Sequence, residues 1–133
     1  MRTFAKLLIL MWAAPALAAM DFSCTVKEVY RPSDEGFLVP GKGFSTPDVG
    51  SEFIVNRQSG QITGHKITNT MSGVMPTVYS HLPAENSYST ITVYEPNYTI
   101  DLLQVHEYVG APEKPFLYKG AFGEVVTGMC VQR

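Results

Sequence analysis

SEFIVNRQSGQITGH, residues 51–65, is the stretch whose reading decides the fold. Phe53 and Val55 alternate with Glu52, Ile54 and Asn56, so a period of two places Phe53 and Val55 on one face of a strand. Arg57-Gln58-Ser59-Gly60 then interrupts the apolar pattern. Gly60 suits a residue that takes positive φ where a type I turn feeds back into a strand. Beyond it Gln61, Thr63 and His65 alternate with Ile62 and Gly64. The segment reads as a β-hairpin.

Working outward toward the C-terminus, 74–80 is a strand candidate broken by Pro76. Residues 88–95 alternate, with Ile91 and Val93 on one face and Tyr88, Thr90, Thr92 and Tyr94 on the other. The stretch 98–109 fits both a helical stripe and a strand face. Its Tyr, Ile, Thr and Val content favours a strand. Two more strands, 116–122 and 124–132, meet near Gly120 and Gly123. On the N-terminal side, 22–30 places Phe22, Cys24 and Val26, with Glu28 next in register, on one face. The Pro- and Gly-rich stretch 31–50 excludes a long helix and leaves room for a short edge strand at Phe37-Leu38-Val39. Short strands at regular spacing with turn signals between them predict an all-β fold. We expect a single small antiparallel meander of about seven or eight strands curled into a barrel or sandwich.

The first residues read as a secretory signal. Arg2 and Lys6 make a positive start, an apolar run follows, and Ala16-Leu17-Ala18 is a small-x-small cleavage site. The run is shorter than the about 20 residues of a membrane span, and Pro15 interrupts it. Residues 1–18 are therefore expected to be a signal peptide and residues 19–133 a single β domain. Without Arg2 and Lys6 the ten basic residues fall to eight against twelve acidic ones, a formal charge of −4. No basic run remains, which argues against nucleic acid and anionic membranes as partners.

Export to an oxidising compartment makes a disulfide between Cys24 and Cys130 the expectation. The bond closes nearly the whole domain, and the chain-entropy account assigns about 4.7 kcal/mol to a loop of about 100 residues. It also requires the first and last strands to be neighbours. A lipid anchor on Cys24 is disfavoured, because Asp21-Phe22-Ser23 lacks the aliphatic residue such signals carry three positions earlier.

Chemistry is harder to find. His65, His81 and His106 lack the close spacing of metal ligands, and a shared site requires them to converge in space. His106-Glu107 beside Asp101 suggests an acid/base pair, but His106 and Glu107 point to opposite faces of a strand and do not cooperate directly. There is no G-x-S-x-G elbow, and Gly41-Lys42-Gly43 lacks the spacing of a P-loop. We expect no catalytic residues, no metal and no cofactor. Tyr88, Tyr94 and Tyr98, on the face opposite Ile91 and Val93, are the candidate binding surface. The alternative for that face is a second core layer.

Phe53–Gly60 reads F-x-V-x-R-x-S-G, and Val105-His106-Glu107-Tyr108 ends a valine-bearing strand in an E-Y pair. Lys114-Pro115-Phe116 and Gly128-Met129-Cys130 follow. With these motifs the chain resembles the uncharacterised small exported proteins of Gram-negative proteobacteria. The resemblance implies a periplasmic or secreted location and no particular activity. The expected role is a non-enzymatic module that binds a protein or an envelope component. A lipocalin-like carrier of a small apolar ligand is the alternative, and a metal-dependent enzyme a more distant one.

Overall fold

The structure, a computed structural model, describes residues 20–79 and 87–133. The expected signal peptide, 1–18, and His81 lie outside the described residues. Among the described residues nine strands form one antiparallel sheet: β1 (Phe22–Pro32), β2 (Leu38–Pro40), β3 (Glu52–Val55), β4 (Ile62–Gly64), β5 (Thr77–Val78), β6 (Tyr88–Tyr94), β7 (Thr99–Val105), β8 (Glu113–Lys119) and β9 (Val125–Gln132). Their order is β4-β3-β1-β9-β8-β7-β6-β5, with β2 pairing the far end of β1. β6 to β9 follow one another as a meander. The N-terminal strand then enters between β9 and β3, and the sheet curls into a half-barrel.

That insertion places Cys24 directly opposite Cys130 in the β1–β9 ladder. The two are joined by a disulfide across 106 residues, with Cα atoms 4.0 Å apart and both residues fully buried. The hairpin forms as read, with Phe53 and Val55 buried between exposed neighbours. Gly60 takes φ of +76°, and its N–H donates to the Asn56 carbonyl at 2.8 Å. The Asn56 side chain accepts from the Ser59 N–H at 2.9 Å, which braces the turn locally.

The concave face carries the core: Phe22, Cys24, Val26 and Val29 from β1, then Phe53, Val55 and Ile62, and Leu103, Val105, Phe116, Tyr118, Val126 and Cys130 from the meander. Each large side chain buried there contributes about 1.5–3 kcal/mol of transfer free energy. Edge-to-face contact between Phe53 and Phe116, centroids 5.1 Å apart, joins the two halves.

Two expectations need correction. The β1 face does not run on to Glu28, because the register shifts between Val26 and Glu28. This bulge turns Val29 inward and leaves Glu28 exposed. On β6 the concave face belongs to Tyr88, Thr90, Thr92 and Tyr94, whereas Val93 is exposed and Ile91 half-buried. The polar alternate of the strand is the inner one.

The open side of the half-barrel explains that choice. β5 and β6 approach the turn after β3 and the segment following β4, and the gap is bridged by side chains instead of a ladder. Tyr88 Oη donates to the Arg57 carbonyl at 2.9 Å, Thr90 Oγ1 to the Gly60 carbonyl at 3.3 Å, and Thr92 Oγ1 to the Asn69 carbonyl at 3.3 Å. Asn69, fully buried, accepts from the Ile62 N–H and donates to the Gly60 carbonyl, both at 2.8 Å. Hydroxyls are wanted inside because backbone carbonyls face them. Ile or Val at those positions would take these donors away, leaving the Gly60 carbonyl with Asn69 Nδ2 alone.

Candidate functional site

The two ends of the half-barrel differ. At the end reached by the β3 terminus, Arg57 folds back into the protein. Its guanidinium pairs with Glu107, stands 4.5 Å from the Phe22 ring centroid and 5.2 Å from that of Tyr88, and donates from Nε to the Met20 carbonyl at 3.1 Å. Its backbone N–H donates to Asp21 Oδ1 at 2.9 Å. Burial lowers the Arg57 pKa, while Tyr88 and Asp21 act the other way. Among the described residues no buried side-chain nitrogen or oxygen lacks a partner, so this end is closed by its own polar contacts.

The opposite end is open. The turn joining β8 to β9, the 41–50 loop and the segment after β4 surround a groove of about 440 Å³. Phe44 is fully exposed at its rim and Phe122 is 76 % exposed, whereas Tyr118 is buried at its floor. Met71, His65, Lys66 and Glu124 also line it. Lys66 pairs with Asp48 at 3.4 Å. Glu124 is held by the turn, where the Gly120 N–H donates to the Glu124 carbonyl at 2.9 Å.

Behind Tyr118 lies a buried polar cluster. Tyr94 Oη donates to Asp101 Oδ2 at 2.6 Å, and both residues are buried. Burial pushes the Asp101 carboxyl above its ordinary value, opposed by hydrogen bonds from Tyr94 and Thr92 and by the charge of Lys119. Burial, then the hydrogen bond to Asp101, raises the Tyr94 hydroxyl. Burial likewise raises Tyr118, reinforced by Asp101, Glu124 and Tyr94.

The three expected tyrosines do not make one surface. Tyr88 and Tyr94 are buried in the concave face, 0 % and 8 % exposed, because their hydroxyls find backbone and carboxylate partners there. Tyr98 is exposed, with φ of +57° in the turn between β6 and β7. His65 lines the groove described above, while His106 lines a separate one on β8 and β9 and stacks on Tyr108 at 5.3 Å. Among the described residues, no three His, Cys, Asp or Glu side chains come together as a metal-binding group. Glu107 faces Arg57 and not His106, and Asp101 is held by Tyr94.

Sequence reasoning passed over Phe44, Phe122 and Glu124. The available signal was an aromatic residue set inside a glycine turn, Gly43-Phe44-Ser45 and Ala121-Phe122-Gly123. A large apolar side chain at a turn apex has no core to enter. No helix among the described residues is long and apolar enough to cross a membrane, and the disulfide is compatible with an extracellular or periplasmic location. The chain matches no protein-family model, no curated protein and no solved structure in the comparisons made.

Proposed function

We propose that this protein is a non-enzymatic binding module of the periplasm or the extracellular space, related to the exported proteins its motifs resemble. The open groove is its recognition site, and its ligand is an envelope component or a protein that presents an apolar group. The observation that carries this reading is the pair Phe44 and Phe122, two rings left in water on either side of a concave surface. Exposed aromatic rings around a cleft are a feature of recognition sites, where covering them supplies the binding free energy. Glu107, Asp101 and Asn69 are used internally, as partners of Arg57, Tyr94 and the seam.

A second reading, carriage of a small apolar ligand, draws on the groove's volume. About 440 Å³ falls in the range of about 300–1,000 Å³ typical of small-molecule sites. It differs from a lipocalin in where the ligand sits, because Phe22, Phe53, Tyr88, Leu103 and Phe116 fill the concave interior.

Nile red, a neutral apolar dye, tests the site. The dye should brighten on the wild-type protein, and Phe44→Ser with Phe122→Ser should remove the signal while circular dichroism stays unchanged. Undiminished dye binding in that folded double variant would refute the groove. Turnover of a substrate, abolished by one side-chain change, would refute the non-enzymatic role. A ligand that remains through purification and leaves only on denaturation would favour the carrier.

A further inference from the structure

The open groove contains more than an apolar binding site requires. Three aromatic rings converge on it, Phe44 from the 41–50 loop and Tyr118 and Phe122 from the β8–β9 hairpin, together with the Glu124 carboxylate. Glu124 lies over Gly120 so closely that a Cβ at that position would collide with its carboxylate. Asp101, buried, lies two residues along β7 from Leu103, the ladder partner of Tyr118. The groove therefore has aromatic rings at its rim and floor, and the Glu124 carboxylate at one side.

Aromatic faces are electron-rich and attract a cation within about 6 Å of the ring centroid. A carboxylate adds direct Coulomb attraction. Lys66, the lysine on the lining, pairs with Asp48 at 3.4 Å. His65 contributes an imidazole to the lining. A primary ammonium would keep its water. An alkylated one is poorly hydrated, and its methyl groups suit a lining of Phe and Met.

We propose that the groove formed by Phe44, Tyr118, Phe122 and Glu124 binds a small organic cation of the quaternary-ammonium class, with its methyl groups against the rings and Glu124 as counter-charge. This rests on the reading of the groove as the recognition site and names the chemistry of its ligand.

The test compares choline with 3,3-dimethyl-1-butanol, which has the same shape with a neutral carbon in place of the nitrogen. Each is titrated into the disulfide-bonded protein and followed by NMR of the aromatic side chains. Choline should bind saturably, with shifts at Phe44, Tyr118 and Phe122, about tenfold more tightly than the alcohol. Glu124→Gln should weaken choline by about two- to fivefold and leave the alcohol unchanged. Gly120→Ala, which displaces the Glu124 carboxylate, should do the same.

Equal affinity for the two compounds, or binding of neither while Nile red still binds, overturns the cation site and leaves the apolar groove in place. Loss of Nile red binding as well removes both readings. Vesicle sedimentation identifies the source of the group. Binding to phosphatidylcholine vesicles that choline competes away places the cation on a lipid headgroup, and choline binding without vesicle binding places it on a soluble compound. A preference for phosphatidylglycerol vesicles contradicts the proposal.

Discussion

Arg57 and Glu107, fifty residues apart, form an ion pair with side chains only 5 % and 1 % exposed. The Phe22 and Tyr88 rings lie against the guanidinium, and the Met20 carbonyl takes its Nε proton. The pair joins the β3–β4 turn to the end of β7, which no strand pairing connects directly.

Breaking this pair from one side should be costly. Glu107→Ala leaves a buried guanidinium without its counter-ion and is expected to destabilise the protein by about 3–5 kcal/mol. The double variant Arg57→Met with Glu107→Leu removes both charges and should lose much less than Glu107→Ala alone. Urea unfolding of the two variants is the measurement. A double variant less stable than Glu107→Ala would mean that the charges themselves are a net source of stability.

The seam should depend on Asn69 and Gly60. Asn69→Ala strips partners from the Ile62 N–H and removes one of the two donors on the Gly60 carbonyl, at a cost of about 1–3 kcal/mol. Gly60→Ala adds a Cβ that would sit 2.8 Å from Val78 Cγ2, on a backbone with φ of +76°. Gly36→Ala has a similar φ of +87° but open space around it. The Gly36 variant should lose about 1–2 kcal/mol, and the Gly60 variant more. Equal thermal midpoints for the two would show that the 56–61 turn does not press on β5 and β6.

Asp101 should make the protein less stable as its carboxyl ionises. Burial raises its folded pKa above the ordinary 3.8, so its contribution is fully present below that pH and is lost as pH rises through the folded value. Asp101→Asn still accepts the Tyr94 hydroxyl and carries no charge. Its stability relative to wild type should therefore climb as pH rises above the ordinary 3.8 and level off once pH has passed the folded value. Urea midpoints at a series of pH values check this, and a gap that stays constant or reverses would count against a strained carboxylate.

The buried tyrosines set the alkaline limit. Tyr88 is raised from 10.0 to about 12 by burial, partly offset by Arg57, and Tyr94 and Tyr118 are raised further. Stability is complete below the unfolded value near 10.0 and declines as pH climbs toward the folded values. Tyrosinate absorbance should show these three groups ionising together with the loss of near-ultraviolet circular dichroism. Ionisation of all seven tyrosines with the dichroism intact would contradict their burial.

The sequence by itself determined the strand class, the 51–65 hairpin and the disulfide. Those are local or pairwise signals: a period of two, a glycine where φ must be positive, and two cysteines at opposite ends of a chain whose start reads as an export signal. Alternation also separated the two faces of β6, but not which one lies inside. That was decided by the carbonyls of Arg57, Gly60 and Asn69, which meet the strand only after the sheet has curled and make the hydroxyl face the buried one. The groove was illegible for the same kind of reason. Phe44, Tyr118, Phe122 and Glu124 come from the 41–50 loop, β8 and the turn after it. The last three share one hairpin, and only the insertion of β1 beside β9 and the curvature of the sheet bring Phe44 to them.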